Sequence, residues 1–219
     1  MAHGLRWKIA QGFEIRWWKG YLKKKDPAAY AVWKRAYWQE YLGRMGKAVS
    51  LRDGDRILDA GCGPAGLFMV LESYRPDALD PLINAYEAMP HFKQSMYPGV
   101  RFFEETLEAF RPEAPYDTVF CMNAINHVDD LAAAYDSLAA AVKPGGTLVV
   151  TIDAHNHGFF KRIFRLIPGD ILHPHQYDEA EYAAMLTTRG FTVVDTQVME
   201  KEFLFSRVMQ VAKKNAPAA

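Results

Sequence analysis

The 219-residue chain contains few cysteines and no long apolar run. Only two cysteines are present, which excludes a disulfide framework and favours a reducing compartment. No stretch approaches the roughly 20 apolar residues of a membrane-spanning helix. The first residues also form no apolar signal region. The sequence therefore predicts a cytoplasmic protein without a transmembrane segment.

Motifs of several common functional classes are missing as well. No Gly-Lys-Ser/Thr follows the glycine-rich stretch near residue 61, so a P-loop is not expected. The chain has no His-Glu-x-x-His motif, no internal repeat and no recognised RNA-binding module. Half of its residues are apolar, which is enough to build the core of a globular domain.

The formal net charge of zero hides an uneven distribution along the chain. Residues 1–47 contain eleven Lys and Arg against three acidic residues, a net charge of +8, so the remainder carries −8. All five tryptophans also lie within residues 1–47. The sequence thus joins a basic, aromatic N-terminal segment to an acidic body.

This N-terminal segment has the pattern of two helices. Apolar residues recur at every fourth position from Leu5 to Tyr21, which predicts a helix over residues 5–24. Asp26-Pro27 is typical of a helix start and predicts a second helix that runs to about residue 47. We therefore expect a helical cap formed by residues 1–50.

From residue 51 onward, strand patterns alternate with helix patterns. Strands are predicted at residues 56–60, 78–80, 100–103, 117–122, 147–152, 192–198 and 205–213. Helices are predicted at residues 66–73, 82–89, 129–142 and 178–189. The alternation predicts an α/β domain over residues 51–215, with a mostly parallel sheet and an antiparallel closing strand.

A glycine-rich turn, Ile57 to Gly66, follows the first strand and carries the clearest functional signal. Asp59 ends the apolar run, and Gly61 and Gly63 permit a tight turn that a ligand can approach closely. The helix predicted from Gly66 would offer free backbone amides to a polar ligand. The pattern is typical of nucleotide-like cofactors bound at the strand ends of a parallel sheet.

Four segments follow one another along the chain: Leu58–Pro64, Asp80 at the end of the second strand, Tyr116–Val128, and Lys143–Leu148. Together they resemble the class I S-adenosylmethionine-dependent methyltransferases, and the resemblance covers about residues 54–213. The resemblance implies a Rossmann-like methyltransferase fold, methyl transfer as the activity and S-adenosylmethionine as the cofactor.

The family pattern also implies which residues bind the cofactor. They are Asp59, Gly61, Cys62, Gly63, Asp80, Pro81, Glu105, Thr106 and Asn123. Asp80 lies about 20 residues after the turn, where an acid accepts ribose hydroxyls; alternatively it caps the segment after Pro81. Glu105 stands where the family usually has Asp or Asn near the adenine amine, and Glu104 is an alternative to it.

A nicotinamide-dependent oxidoreductase is the competing class, because Gly61, Gly63 and Gly66 also fit Gly-x-Gly-x-x-Gly. Asp59 directly before the glycines favours the methyltransferases, as does the Pro144-Gly145-Gly146 turn before the fifth strand. An RNA methyltransferase and a non-catalytic S-adenosylmethionine-binding module are further alternatives, although nucleic acid is not the expected partner.

Histidines supply the candidate catalytic groups. His127 follows the fourth strand and could orient the acceptor or take its proton, and His155 and His175 are further candidates. The pairs His155-x-His157 and His173-x-His175 leave open a metal site, although no metal is predicted.

An insertion at about residues 155–177 is basic and apolar, and we expect it to form a lid with the helical cap. Such a lid favours a small-molecule acceptor that is aromatic or amphiphilic and can be anionic, methylated on a hydroxyl or an amine. The same composition is compatible with transient contact with a membrane surface. The oligomeric state is left open.

Overall fold

The computed structural model describes residues 5–156, 177–203 and 205–216, with side chains from residue 11 onward. Two helices come first, α1 (Leu5–Leu22) and α2 (Pro27–Met45). The Asp26 side chain accepts a hydrogen bond from the Ala29 amide at 2.8 Å and so caps α2, as the sequence predicts. Within the described residues, no helix is both long enough and apolar enough to cross a membrane.

Seven strands form one mixed sheet in the order β3-β2-β1-β4-β5-β7-β6. The strands are β1 (Ile57–Ala60), β2 (Asp77–Leu79), β3 (Arg101–Phe103), β4 (Tyr116–Cys121), β5 (Val142–His155), β6 (Phe191–Lys201) and β7 (Phe205–Lys214). The first five strands run parallel, and β7 pairs antiparallel with both β5 and β6. The predicted Rossmann-like sheet with an antiparallel closing strand is thus confirmed.

Helices cover both faces of the sheet. The remaining α-helices of the described residues are α3 (Ile83–Tyr86), α4 (Leu131–Ala141) and α5 (Glu179–Thr187). On one face, Trp38, Tyr41 and Met45 of α2 pack against Phe120 and Met209 of the sheet. Buried residues of α4 and α5 form a core cluster with residues of the opposite face. Burial on both faces explains the continuous apolar runs in β4 and β5.

The α-helix predicted at residues 66–73 is wrong. The chain instead makes three short 3₁₀ turns, Gly63–Ala65, Leu67–Val70 and Glu72–Tyr74. Side chains of α2 take backbone carbonyls that an α-helix here would use: the Trp38 indole donates to the Ala65 carbonyl at 2.9 Å. The Arg35 guanidinium likewise donates to the Met69 carbonyl. Tertiary contacts therefore override the local helical pattern.

Candidate cofactor and acceptor site

The glycine-rich turn lies between the ends of β1 and β2. Gly61 and Gly63 adopt φ values of +72° and +57°, which side-chain-bearing residues rarely tolerate. A β-carbon on Gly61 would lie 2.2 Å from the β-carbon of Ala124, in the loop after β4. Glycine at position 61 therefore allows the turn and the loop after β4 to pack against each other.

The backbone amides of this turn already have partners in the protein. Gly61 and Cys62 both donate to the Leu79 carbonyl, at 2.7 and 3.0 Å. Phe68, just after Gly66, donates to the buried Asp59 carboxylate at 2.8 Å. The expectation that amides near Gly66 and Leu67 are free for a ligand is therefore wrong, because no α-helix begins there and Asp59 binds this segment. The turn is held in shape by the protein itself.

Asp80 joins the turn to the segment after β2. Its Oδ2 accepts from the Gly63 amide at 2.8 Å, and its Oδ1 accepts from the Leu82 amide at 2.9 Å. Asp80 is only 6% exposed, and burial, assisted by the charge of Glu14, raises its pKa to about 7. The structure thus contains the capping contact considered for Asp80 from the sequence. A role for Asp80 in binding ribose hydroxyls remains a prediction.

The other predicted cofactor residues lie around the same sheet edge. Pro81 follows Asp80 directly, and the Asp80 amide donates to the Phe103 carbonyl at 3.1 Å, which brings the end of β3 alongside. Glu105 is exposed, whereas Thr106 is buried and accepts from the Ala109 amide at 3.3 Å. Glu104 is also exposed and accepts a hydrogen bond from the Asn84 side chain.

Burial raises the pKa of the Cys62 thiol well above its ordinary value. Burial therefore favours the neutral thiol of Cys62 over the thiolate, which is the nucleophilic form. Cys121, at the end of β4, is likewise buried and its pKa is raised by burial. Neither thiol is suited to nucleophilic chemistry in this state.

The end of β4 carries Asn123 in an unusual conformation, with φ of +56°. Its amide donates to the Thr151 hydroxyl oxygen at 2.6 Å, and its carboxamide oxygen accepts from that hydroxyl at 3.1 Å. Asn126 is buried nearby; its side chain accepts from the Asp153 amide at 3.0 Å and donates to the Tyr182 hydroxyl at 2.9 Å. The sequence pattern gave no sign of the roles of Thr151 and Asn126.

The candidate catalytic histidines occupy different environments. His127 ends the 3₁₀ turn Ile125–His127 and is exposed, beside the Asn123 turn. His155, at the end of β5, is buried with its ring 4.3 Å from that of Phe205. His157, His173 and His175 lie outside the described residues, as does most of the predicted lid at residues 155–177. Among the described side chains, no group of His, Cys, Asp and Glu could hold a metal ion.

Helix α1 reaches the cofactor end of the site. A β-carbon on Gly63 would lie 3.6 Å from the ring of Trp18. One turn earlier, Glu14 accepts a hydrogen bond from the Tyr86 hydroxyl at 3.2 Å. Composition alone predicts a helical cap, but only the fold identifies Glu14 and Trp18 as its residues beside the turn.

Helix α2 contributes a cation on the other side of Asp59. The Lys34 ammonium lies 4.2 Å from the ring centre of Tyr37 and 4.5 Å from that of Trp38. Burial and, to a smaller extent, the positive charge of Arg207 lower the pKa of Lys34 to about 8, while Asp59 acts in the opposite direction. Lys34 thus lies within electrostatic range of both the turn and β7.

Arg207 of β7 completes this cationic side of the site. Its guanidinium binds Glu200 at 2.8 Å and Asp153 at 3.3 Å. Burial raises the pKa of Tyr37, and the side chains of Tyr41 and Asn123 are close enough to its hydroxyl to influence it. We call Lys34, Tyr37, Tyr41 and Arg207 the cationic wall. It stands beside Asn123, where β4 ends.

The chain is similar to known proteins over most of its length. The sequence profile of a family described as "Methyltransferase domain" matches residues 30–196. A ubiquinone biosynthesis O-methyltransferase of Xylella fastidiosa (strain M23) is 33% identical over 177 residues, which cover 74% of this chain and 70% of that protein. A trans-aconitate 2-methyltransferase of Azoarcus sp. (strain BH72) is 26% identical over 121 residues, 55% of this chain and 48% of that protein.

Solved structures share the fold. A Burkholderia thailandensis 1,6-didemethyltoxoflavin-N1-methyltransferase with bound S-adenosylhomocysteine has a TM-score of 0.64 at 20% identity, covering 98% of this chain and 92% of that one. A magnesium protoporphyrin IX methyltransferase from Synechocystis PCC 6803, also with S-adenosylhomocysteine, has a TM-score of 0.61 at 19% identity, covering 96% of this chain and 100% of that one. Both alignments extend over nearly the whole of this chain.

Proposed function

Because the chain belongs to the class I S-adenosylmethionine-dependent methyltransferases, a family of enzymes, we propose that it methylates a hydroxyl group of a small molecule that also carries a carboxylate. Membership of this family separates the chain from the nicotinamide-dependent oxidoreductases. The residues that face the acceptor must therefore account for two of its features, the hydroxyl group and the carboxylate.

The cationic wall is the observation that supports a carboxylate on the acceptor. Lys34 is largely buried, and it has no ion pair with a described side chain. Asp59 is the acid that affects the pKa of Lys34, but its carboxylate already accepts hydrogen bonds from the backbone amides of Phe68 and Leu67. Burial also raises the pKa of Asp59 to about 7. Lys34 and Arg207 repel each other, so an anion bound between them would relieve an unfavourable interaction.

Two relatives each support one part of the proposal. The Xylella protein is named as an O-methyltransferase, which supports oxygen as the methylated atom. The Azoarcus protein is named for trans-aconitate, a tricarboxylic acid without a hydroxyl group, so it supports recognition of a carboxylate and not the choice of a hydroxyl. The rings of Tyr37 and Tyr41 in the cationic wall, 4.5 Å apart, would add an apolar surface for the rest of the acceptor.

The residues around the glycine turn fit S-adenosylmethionine, which is the cofactor of this family and supplies an activated methyl group on a sulfonium. We assign Asp80 to the ribose hydroxyls, because a carboxylate has lone pairs beyond those used by Gly63 and Leu82. Asp59 would face the amino-acid end. Gly61 and Gly63 leave the turn free of side chains that a bound nucleoside would contact.

Methyl transfer to a hydroxyl forms a carbon–oxygen bond and releases the hydroxyl proton. We assign acceptance of that proton to the His127 imidazole, because its exposure lets the proton pass on to water. Asn123 would hold the acceptor near β4, with its own position fixed by Thr151. Trp18 and the aromatic residues of the cationic wall would exclude water from the methyl group.

Methylation assays with paired acceptors test the proposal. A panel of mono- and dihydroxybenzoates is compared with their methyl esters, with S-adenosylhomocysteine formation as the rate and mass spectrometry to place the methyl group. We expect ether products and a preference for the acids of about tenfold or more, as one charge-assisted contact provides. Lys34→Met should remove that preference, whereas Lys19→Met, an exposed lysine of α1, should preserve it.

Three results would contradict the proposal. Equal kcat/KM for each acid and its ester would remove the carboxylate from recognition. Methylation of the carboxylate itself, seen as an ester product, would overturn the hydroxyl assignment. An acid preference unchanged in Lys34→Met would show that the cationic wall does not recognise the acceptor.

A further inference from the structure

Helix α1 has two faces with different environments. Glu14, Trp18 and Leu22 lie on the inner face, where Leu22 is buried and Glu14 and Trp18 contact the body. The outer face presents Phe13 and Trp17, which are 50% and 58% exposed. Because residues four apart share a helix face, Phe13 and Trp17 form one exposed apolar stripe.

The stripe continues from α1 onto α2 through contacts between rings. Trp17 stacks on Tyr21 with ring centres 5.0 Å apart, and Tyr21 contacts Tyr30 at 6.2 Å. Tyr30 in turn contacts Trp33 at 5.6 Å, and Trp33 is 50% exposed. We call Phe13, Trp17, Tyr21, Tyr30 and Trp33 the aromatic strip, in which the buried ring of Tyr30 connects the more exposed ones.

A cavity of about 300 Å³ opens on the strip between the two helices. It is lined by Lys25, Asp26, Ala29, Tyr30 and Trp33. The lining is mostly apolar, with the Lys25 ammonium 4.4 Å from the ring of Tyr21. Such a cavity suits an apolar chain whose polar end stays near a cation.

Positive charge surrounds the aromatic strip. The exposed cations of this part of α1 and the turn after it are Arg16, Lys19, Lys23, Lys24 and Lys25. Between residues 11 and 39 the sequence contains two acids, and both serve the protein's own structure. Glu14 accepts from Tyr86 on the inner face, and Asp26 accepts from the Ala29 amide as a helix cap. The charge presented outward by this segment is therefore strongly positive.

We propose that the aromatic strip and the cations around it form a docking surface for an anionic phospholipid membrane. Exposed aromatic and aliphatic side chains insert into the headgroup region, while lysines and arginines bind anionic headgroups. Val32, which is 71% exposed on α2, adds an aliphatic contact of the kind that lipid favours and nucleic acid does not.

Three observations favour lipid over nucleic acid or a second copy of the chain as the partner of this surface. The ring of Trp17 is stacked on Tyr21 within 6° of parallel, so that face is not available to a nucleotide base. Phe13, Val32 and the apolar cavity offer nothing that RNA would hydrogen-bond. A second copy of the chain would bring the same cations against one another, which is unfavourable for a self-complementary interface.

Vesicle co-sedimentation with the full chain tests the docking surface. The enzyme is mixed with vesicles of phosphatidylcholine alone or with one quarter phosphatidylglycerol, at 50 and 300 mM salt. We expect binding only to the anionic vesicles and a marked loss of binding at the higher salt. Phe13→Gln/Trp17→Gln should weaken the apparent partition by about tenfold or more, as loss of two inserted apolar side chains predicts.

Two further variants distinguish the contribution of charge to vesicle binding from that of apolar contact and from a general effect of removing an exposed apolar side chain. Lys19→Glu/Lys23→Glu should also weaken binding by about tenfold or more, because it reverses two charges that face the anionic headgroups. Met96→Gln, which changes an exposed apolar residue of another loop, should bind like the wild type. Thermal unfolding of every variant checks that the fold is retained.

Several outcomes would overturn the docking surface. They are equal binding to neutral vesicles, unchanged binding of the aromatic variant, or no binding to any vesicle. RNA binding without vesicle binding would assign the surface to nucleic acid. Dimerisation that Phe13→Gln/Trp17→Gln removes, without vesicle binding, would assign it to a second copy. None of these outcomes bears on the acceptor experiment, because the two surfaces share no residue.

Discussion

Replacement of Asp80 by Asn should make the ligand-free protein less sensitive to alkaline pH while weakening cofactor binding. The Asp80 carboxyl is buried against the glycine turn, and burial together with Glu14 raises its pKa to about 7 from the ordinary 3.8. A carboxyl whose pKa is raised on folding binds its proton more tightly in the folded state. It therefore favours folding at low pH, and that stabilisation is lost as the pH rises through about 4 to 7.

The size of the effect follows from these two pKa values. With pKa values of 3.8 unfolded and about 7 folded, linkage gives a loss of about 2.5 kcal/mol of unfolding free energy between pH 5 and pH 8. Asn cannot ionise, so Asp80→Asn should lack this loss. Asn accepts fewer hydrogen bonds than a carboxylate, so one contact to Gly63 or Leu82 weakens at a cost of about 1 kcal/mol that does not vary with pH. Asp59 titrates in both proteins, and its contribution cancels in their difference.

Urea unfolding at pH 5 and pH 8 measures this difference directly. The free energy of unfolding of Asp80→Asn minus that of the wild type should rise by about 2.5 kcal/mol between the two pH values. Asp53→Asn, an exposed carboxyl before β1, should follow the wild type at both. If the Asp80→Asn and wild-type values stay parallel within about 0.5 kcal/mol, Asp80 does not titrate as a buried acid and the reasoning fails.

The same variant connects stability to function. A carboxylate that the fold desolvates gains more from two ribose hydroxyl donors than a solvated one does, because those hydroxyls replace lost water contacts. Asp80→Asn should therefore weaken S-adenosylhomocysteine binding by about 10- to 100-fold in calorimetry. Unchanged affinity would assign Asp80 to capping alone.

Three further predictions concern the turn, the Asn123 segment and His127. Gly61→Ala should lower the free energy of unfolding by about 2 kcal/mol or more and prevent S-adenosylhomocysteine binding, because the added β-carbon would clash with Ala124. The control Gly12→Ala, which has open space around it in α1, should have neither effect. Thr151→Val should weaken S-adenosylhomocysteine binding by calorimetry, since it removes the hydroxyl that bonds Asn123, with a loss of about 1 kcal/mol in urea unfolding. His127→Ala should lower kcat by about 100-fold and leave cofactor affinity unchanged; unchanged kcat would remove His127 from proton transfer.

The sequence predicts the sheet well because its strand signals are local. Buried parallel strands such as β4 and β5 are continuous apolar runs, and tight turns need glycine at Gly61 and Gly63 whatever lies around them. The segment after Gly66 was mispredicted for the opposite reason. Its backbone partners are Asp59 on β1 and Trp38 on α2, and no local pattern records that side chains so distant along the chain take those hydrogen bonds.

The residues of the site likewise divide into those that a local sequence pattern predicts and those that only the fold brings together. Asp80 and Asn123 follow strands, so their place at the sheet edge could be inferred from strand order. Lys34 and Arg207, by contrast, are 173 positions apart and belong to α2 and β7. Nothing in the +8 charge of residues 1–47 distinguishes Lys34 from the other lysines. Only the fold does so, because it buries Lys34 among aromatic rings without an ion pair to a described side chain.

The two faces of α1 make the cofactor and membrane experiments independent of each other. Phe13 and Trp17 are exposed, whereas Glu14 and Trp18, one residue further along, contact the body of the protein. Substitutions of the outer pair should therefore change vesicle binding and leave S-adenosylhomocysteine affinity intact. Trp18→Ala should do the reverse, because its ring lies against Gly63 beside the cofactor turn. If the outer-pair substitutions and Trp18→Ala each changed both affinities, α1 would be responding as a whole, and neither face could be assigned its own ligand.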